Sequence, residues 1–233
     1  MASKVTICNL ALSIIGSPAS IESADPFDAS EEGEKCSEFY PIARDQVLES
    51  HTWAFATMRR ALTAVDLPSY IYTWQYAYGG IPTLMLRPVA VLAPGNVSTS
   101  NALLEVWAPS GAVTDDNSYF STNNDPKPED FIIETDDLTG EPILYTNVQG
   151  AILKYIWLND DPTRYTPAVT RVIARLLASY LAGTLQKDED KAEKQLKIYE
   201  TLELPRAQGF DMSMQRNNGY RAGFKSSIVK ARA

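Results

Sequence analysis

Apolar residues recur with helical spacing at both ends of this chain and lose that spacing in between. This break limits the fold more than any single motif does. Ile7, Leu10, Ala11 and Ile14 fall at i, i+3, i+4 and i+7, so a helix over residues 4–15 presents one apolar face. Ser3 is placed to cap its start. Gly16-Ser17-Pro18 stops it, because Gly accepts left-handed geometry and Pro cannot continue the ladder. A second helical region begins near Asp28, where Asp28-Ala29-Ser30-Glu31 is a variant of the capping box. Cys36, Tyr40, Ala43 and Val47 follow at helical spacing. Pro41 lies among them and predicts a kink or a restart. The pattern fades around residues 53–56.

Helix returns at Thr166-Pro167, an N-cap followed by Pro in the first turn. Val169, Val172, Ile173, Leu176, Leu177, Tyr180 and Leu181 form a broad stripe that must be packed against other helices. Residues 187–194 read as a highly charged helical turn, with Ala192, Leu196, Tyr199 and Leu202 continuing on one apolar face. Between residues 67 and 158, Pro, Gly, Thr and Tyr punctuate short apolar runs. Candidate strands are 83–87, 103–108, 131–134, 143–145 and 151–157, with a polar surface loop over 109–130. Tyr70, Tyr72, Trp74, Tyr76 and Tyr78 alternate strictly, so an extended strand places all five rings on one face. That face is a lobe core shared with the helices, an interface or a carbohydrate platform.

The predicted fold is α+β. A helical bundle forms from residues 1–65 and 163–204, because two helices alone bury too little surface to offset chain entropy. Residues 66–162 form an inserted β-rich lobe. Residues 205–233 form an extended C-terminal tail, interrupted by glycines and expected to order only on a partner.

Charge divides the chain the same way. The net charge is −8, which argues against general phosphate binding. From Pro205 onward there are six basic residues and one acidic, Asp211. That leaves 15 basic against 28 acidic upstream, so the body carries −13 and the tail +5. No apolar run approaches the ~18 residues of a membrane span, and Met1-Ala2-Ser3-Lys4 is a poor start for a signal peptide. The expected compartment is a cytoplasm, where Cys8 and Cys36 serve as small buried hydrophobes.

Catalytic signatures are scarce. His51 is the single histidine and lies beside Trp53 and Phe55 at a helix end, the setting of a packed or capping residue. No phosphate-cradling glycine loop is present, and two Cys with one His make a poor zinc set, so neither cofactor nor metal is expected. The acidic pairs Asp115-Asp116, Asp136-Asp137 and Asp160-Asp161 read as solvated turns. Divalent-cation binding or acid–base chemistry through them is the competing reading.

Several segments carry a family resemblance. They are Asn9-Leu10-Ala11-Leu12-Ser13-Ile14-Ile15-Gly16, Tyr40 to Leu48 after Cys36, His51-Thr52-Trp53-Ala54-Phe55-Ala56 and Arg59-Arg60-Ala61-Leu62. Trp74 to Tyr78, Leu86-Arg87, Gly150 to Tyr155, Asp161-Pro162 and the helix 168–183 continue it. Together they resemble the tail tubular protein A family, the head-to-tail adaptors of tailed bacteriophages. Tyr78-Gly79-Gly80-Ile81-Pro82 departs from that family's pattern at one turn. The resemblance implies a non-enzymatic virion protein, a homo-oligomeric ring of twelve subunits made in the host cytoplasm. The portal protein lies above it and a tail nozzle or other tail protein below. Double-stranded DNA passes through the lumen without specific binding, and no membrane is involved. It also implies that the C-terminal extension meets the portal. The residues assigned to that contact are Arg206, Phe210, Arg216, Tyr220, Arg221, Phe224, Lys225 and Lys230. Two other readings stay open: a phage-associated cell-wall polysaccharide hydrolase using paired carboxylates, and a regulatory module binding nucleic acid through the basic tail.

Overall fold

Helix α1 spans Lys4–Ile15, the expected segment, in a computed structural model that describes residues 2–18, 20–66, 74–94, 128–137 and 139–215. The Ser3 hydroxyl accepts from the Thr6 N–H at 3.0 Å. Gly16 takes φ 84° at the other end, and its N–H turns back to the Leu12 and Ser13 carbonyls. The buried face is Ile7, Cys8, Ala11, Leu12 and Ile15, with Leu10 and Ile14 only half-buried, so the helix is rotated from the expected stripe. Asn9, a polar residue in an apolar helix, clamps the following loop. Its amide donates to the Ile21 carbonyl at 2.8 Å, and its carbonyl oxygen accepts from the Ile21 N–H.

Helix α2 spans Glu31–Glu49 without interruption, passing through Pro41. Its cap is Ser30, which accepts from Gly33, and Asp28 instead accepts from the Glu22 and Ser23 N–H groups. Cys36, Tyr40, Ala43 and Val47 are buried as predicted. Cys8 and Cys36 are free, buried thiols. The Cys36 thiol bonding to Cys8, together with burial, pushes the Cys8 thiol up and disfavours its thiolate.

Helix α3, Pro167–Leu185, starts at the predicted Thr166 cap and packs against α1, α2 and α4, the last spanning Glu189–Ile198. By length and composition α3 is apolar enough to cross a membrane, but most of it is buried by these neighbours. N- and C-terminal helices thus share one core. Lys187, expected in a helical turn, has φ 51° in the tight connection, and Asp188 caps α4 by accepting from the Lys191 N–H.

The expected face of Ala192, Leu196, Tyr199 and Leu202 does not hold. Gln195 and Tyr199 turn inward, while Leu196 and Leu202 are exposed. Gln195 is tolerated inside because its side-chain oxygen accepts from Arg175 at 2.6 Å. A π-helical turn at Tyr199–Glu203 then changes the phase before α5, which spans Leu204–Gln215. The wide turn precedes Pro205, which has no N–H to donate and whose ring crowds the preceding turn.

Among the described residues the strands are β1 Thr57–Ala61, β2 Thr63–Val65, β3 Tyr76–Gly79, β4 Met85–Leu92, β5 Phe131–Thr135, β6 Pro142–Thr146 and β7 Ile152–Trp157. The fold is therefore α+β. One sheet has the order β1-β7-β4. The other is antiparallel with the order β2-β3-β6-β5, pairing Tyr78 with Leu144 and Leu144 with Ile133. β1 and β2 fall in a segment expected to belong to the helical domain. β4 was expected to end before Pro88 but runs through it. An edge strand tolerates the missing N–H, and β4 is at the end of its sheet. Of the aromatic run, only Tyr76 and Tyr78 lie on a described strand, and residues 67–73 and the candidate strand 103–108 fall outside the described residues. Tyr78 is a core residue. Its hydroxyl donates to the Val148 carbonyl and accepts from the Gly150 N–H, both at 2.7 Å.

The chain divides into two compact units. One contains Met1–Met58, Leu84–Pro88 and Tyr155–Ser213, and the other contains Arg59–Thr83 and Val89–Lys154. The divisions fall near Met58 and Tyr155 rather than at 65/66 and 162/163, and residues 84–88 return to the helical unit.

Candidate functional site

The C-terminal segment begins as structure, not as an extension. Residues 204–215 are helical, and one side of α5 is anchored: Ala207 is 2% exposed and Asp211 3%. With the buried Glu203, these residues follow at i, i+4 and i+8, a single inward ridge. Glu203 accepts from Arg171 at 2.7 Å and lies 3.9 Å from Arg175. The Asp211 carboxylate accepts from the Ala54 N–H at 3.2 and 3.3 Å. It also sits 3.3 Å from His51 Nε2, close enough for an ion pair when the imidazole is protonated but not aligned as a hydrogen bond.

Ala54 and His51 are positioned by the corner after α2. Trp53 is fully buried, and its indole N–H donates to the Val47 carbonyl at 2.8 Å. The His51 ring stands edge-on to it at 4.8 Å. His51 is thus a packed histidine, as expected, with a carboxylate partner 160 residues away that no local pattern marks. The single acidic residue of the C-terminal segment is turned inward. Arg206, Phe210, Met212 and Met214 remain exposed on α5, with Phe210 at 53%. Of the residues assigned to portal contact, Arg206 and Phe210 therefore share the outer part of one helix. Arg216, Tyr220, Arg221, Phe224, Lys225 and Lys230 lie outside the described residues.

Asp160, Asp161 and Asp136 have structural partners. Asp160 receives Arg44 Nη1, and Lys4 approaches it at 3.1 Å, so it ties α1 and α2 to the segment after β7. Arg44 is itself buried and donates from Nε to Asp45 at 2.6 Å. Asp161 caps the short 3-10 turn Pro162–Arg164. The Thr163 hydroxyl and N–H hold its carboxyl below the usual range, with help from Arg164. Asp136 accepts from the Thr139 N–H and hydroxyl in a turn. Asp115-Asp116 lies outside the described residues. Among the described residues, no group of three His, Cys, Asp or Glu side chains is placed to hold a metal ion.

Burial pushes the tyrosines of the helical unit upward. Tyr165, whose hydroxyl donates to the Asn159 carbonyl, and Tyr199 are each raised to about 12, and Tyr40 further still. Their unfolded value is about 10. A raised folded value favours the neutral phenol in the folded state. Its stabilisation is therefore complete below pH ~10 and lost as pH climbs through ~12. Tyrosinate absorbance at 295 nm is expected to rise in two stages. The late stage should coincide with loss of helical circular dichroism between pH ~10 and ~12. Full ionisation with retained helix would contradict it.

No protein-family model and no curated protein matches this chain.

Proposed function

We propose that this chain is the head-to-tail adaptor of a tailed phage, a structural subunit that assembles as a ring between portal and tail. The observation that carries the reading is the divided character of the C-terminal segment. Its root, α5, is held to the helical unit by Ala207 and Asp211 while Arg206 and Phe210 face outward. The basic, aromatic sequence 216–233 follows that root. An anchored base followed by a basic and aromatic sequence suits docking onto a second protein, where Arg and buried rings dominate binding. An acidic body suits a channel wall past which DNA slides, since phosphates are repelled rather than held. The structural duties of Asp136, Asp160 and Asp161 favour this reading over a hydrolase, because a carboxylate already bound by cations or turn donors is poorly placed for acid–base work.

The ring of twelve, with portal above and nozzle or other tail protein below, rests on the resemblance to tail tubular protein A. In this reading residues 216–233 are the portal arm and α5 is its root. The test is mass photometry of the full chain, alone and mixed with the portal ring of the same phage. A gain of many subunits on the portal, lost when residues after Gln215 are deleted, is expected. A stable monomer that never associates with the portal would overturn the proposal.

A further inference from the structure

Among the described residues, two outward ridges of the helical unit carry exposed apolar side chains. On α2, Ile42 is 52% exposed in the middle of a 19-residue helix. Glu38 and Gln46 lie four residues to either side of it, and Asp45 and Glu49 lie at i+3 and i+7, so an isolated apolar knob stands in an acidic surround. Lys35 is bonded to Glu38 at 2.8 Å and Arg44 Nε to Asp45 at 2.6 Å, so two cations stand against the six carboxylates of α2. At the other end of the chain, Leu202, Arg206 and Phe210 follow at i, i+4 and i+8. Leu202 and Phe210 are each 53% exposed, and Arg206 is exposed between them. This second ridge is apolar, basic, apolar. Its one nearby carboxylate on α5, Asp211, is turned inward.

The geometry points to these two ridges as the two halves of a heterologous interface between copies of this chain: α2 of one subunit receives the Leu202–Arg206–Phe210 ridge of the next. The inference rests on the ring reading and adds the surface that builds the ring. Both ridges run along i±4 rows, the commonest way for helices to interdigitate. Leu202 and Phe210 stand about 12 Å apart along the helix, leaving a gap beside the Arg206 stem that fits the Ile42 side chain. Arg206 can lay its methylenes along that contact and carry its guanidinium to the carboxylates of α2. The occupant is a second copy because the charges are complementary and neither ridge covers the other within one chain. Two different surfaces meeting head to tail generate a closed ring when the rotation closes. The assignment moves Arg206 and Phe210 from the portal face to the subunit contact, and leaves residues 216–233 for the portal.

The experiment is a disulfide-trapping assay on two full-length variants of different tag mass, Ile42→Cys and Phe210→Cys, mixed in equal amounts under mild oxidation. The unmodified chain is the control, since its own two thiols are buried. The mixed dimer is expected to exceed either homodimer by at least about tenfold, because only a formed contact holds the two thiols at high effective concentration. Adding Arg206→Glu to the Phe210→Cys variant should cut that yield by about fivefold or more through like-charge repulsion. Equal homo- and mixed yields, or insensitivity to Arg206→Glu, would overturn the interface. Rings that assemble on the portal without the 42–210 link would sink this inference and leave the adaptor reading intact. A specific 42–210 link in a protein that never binds the portal would support the interface and sink the adaptor reading.

Discussion

Replacing Trp53 with alanine is expected to lower stability by about 3–5 kcal/mol, the range for removing a fully buried Trp or Phe. The melting temperature should fall by about 6–20 °C for a chain of this size. Trp53 has no exposed surface and contributes at three levels. Its ring fills the corner where α2 hands over to the 3-10 turn Ala54–Ala56 and β1. Its N–H satisfies the Val47 carbonyl near the end of α2, where the last turn has no further helical donors. It also supports His51 on one side and Phe55 on the other, and Phe55 in turn lies 5.7 Å from Tyr165. Trp53→Phe keeps most of the volume and loses the N–H, so the cost should drop to about 1–2 kcal/mol. Calorimetry of both variants separates packing from hydrogen bonding. Equal losses would mean that the hydrogen bond, not the cavity, dominates.

The helices were legible because their ends are written in local chemistry. Ser3, Thr166 and Gly16 act within a few residues of themselves, and the apolar spacing of α2 and α3 points inward as read. Misreadings came where a distant residue or backbone irregularity intervened. Gln195 looks like a surface residue until Arg175 is found beside it. Leu196 and Leu202 look like core residues until the outward rotation of α4 and the π-helical turn are seen. β4 looks as if it must end at Pro88 until its edge position is known. The tail reads as an extension because glycines interrupt it, and Pro205 and Gly209 also penalise a helix there. Yet burial of Ala207 and pairing of Asp211 across the sequence outweigh that penalty. A carboxylate four residues after an inward Ala in a basic segment is the faint signal that was present. It became meaningful only with Ala54 and His51 in place, because tertiary pairing of this kind leaves no local pattern.

Asp211→Ala is expected to be the most informative single change in the candidate site. It leaves the Ala54 N–H without its acceptor and removes the inward charge that faces His51, at a cost of about 2–3 kcal/mol. The loss should be local, because besides Asp211 only Ala207 on α5 and Glu203 in the preceding turn make up the buried ridge. Amide exchange over residues 206–215 should speed up by roughly a hundredfold while α3 keeps its protection. Under the proposed adaptor reading, capture by the portal should weaken in parallel, since a frayed α5 raises the entropy lost on docking. Asp211→Asn retains an oxygen for the Ala54 N–H but not the charge, and His51→Gln removes the imidazole but not the acceptor. If the N–H contact is what holds α5, both should exchange nearly as slowly as the parent. If the ion pair holds it, both should approach Asp211→Ala. Exchange as slow as the parent in Asp211→Ala would show that Ala207 and the α3 arginines on Glu203 fix the helix unaided, and the root of the arm would then have to be placed earlier, at the π-helical turn.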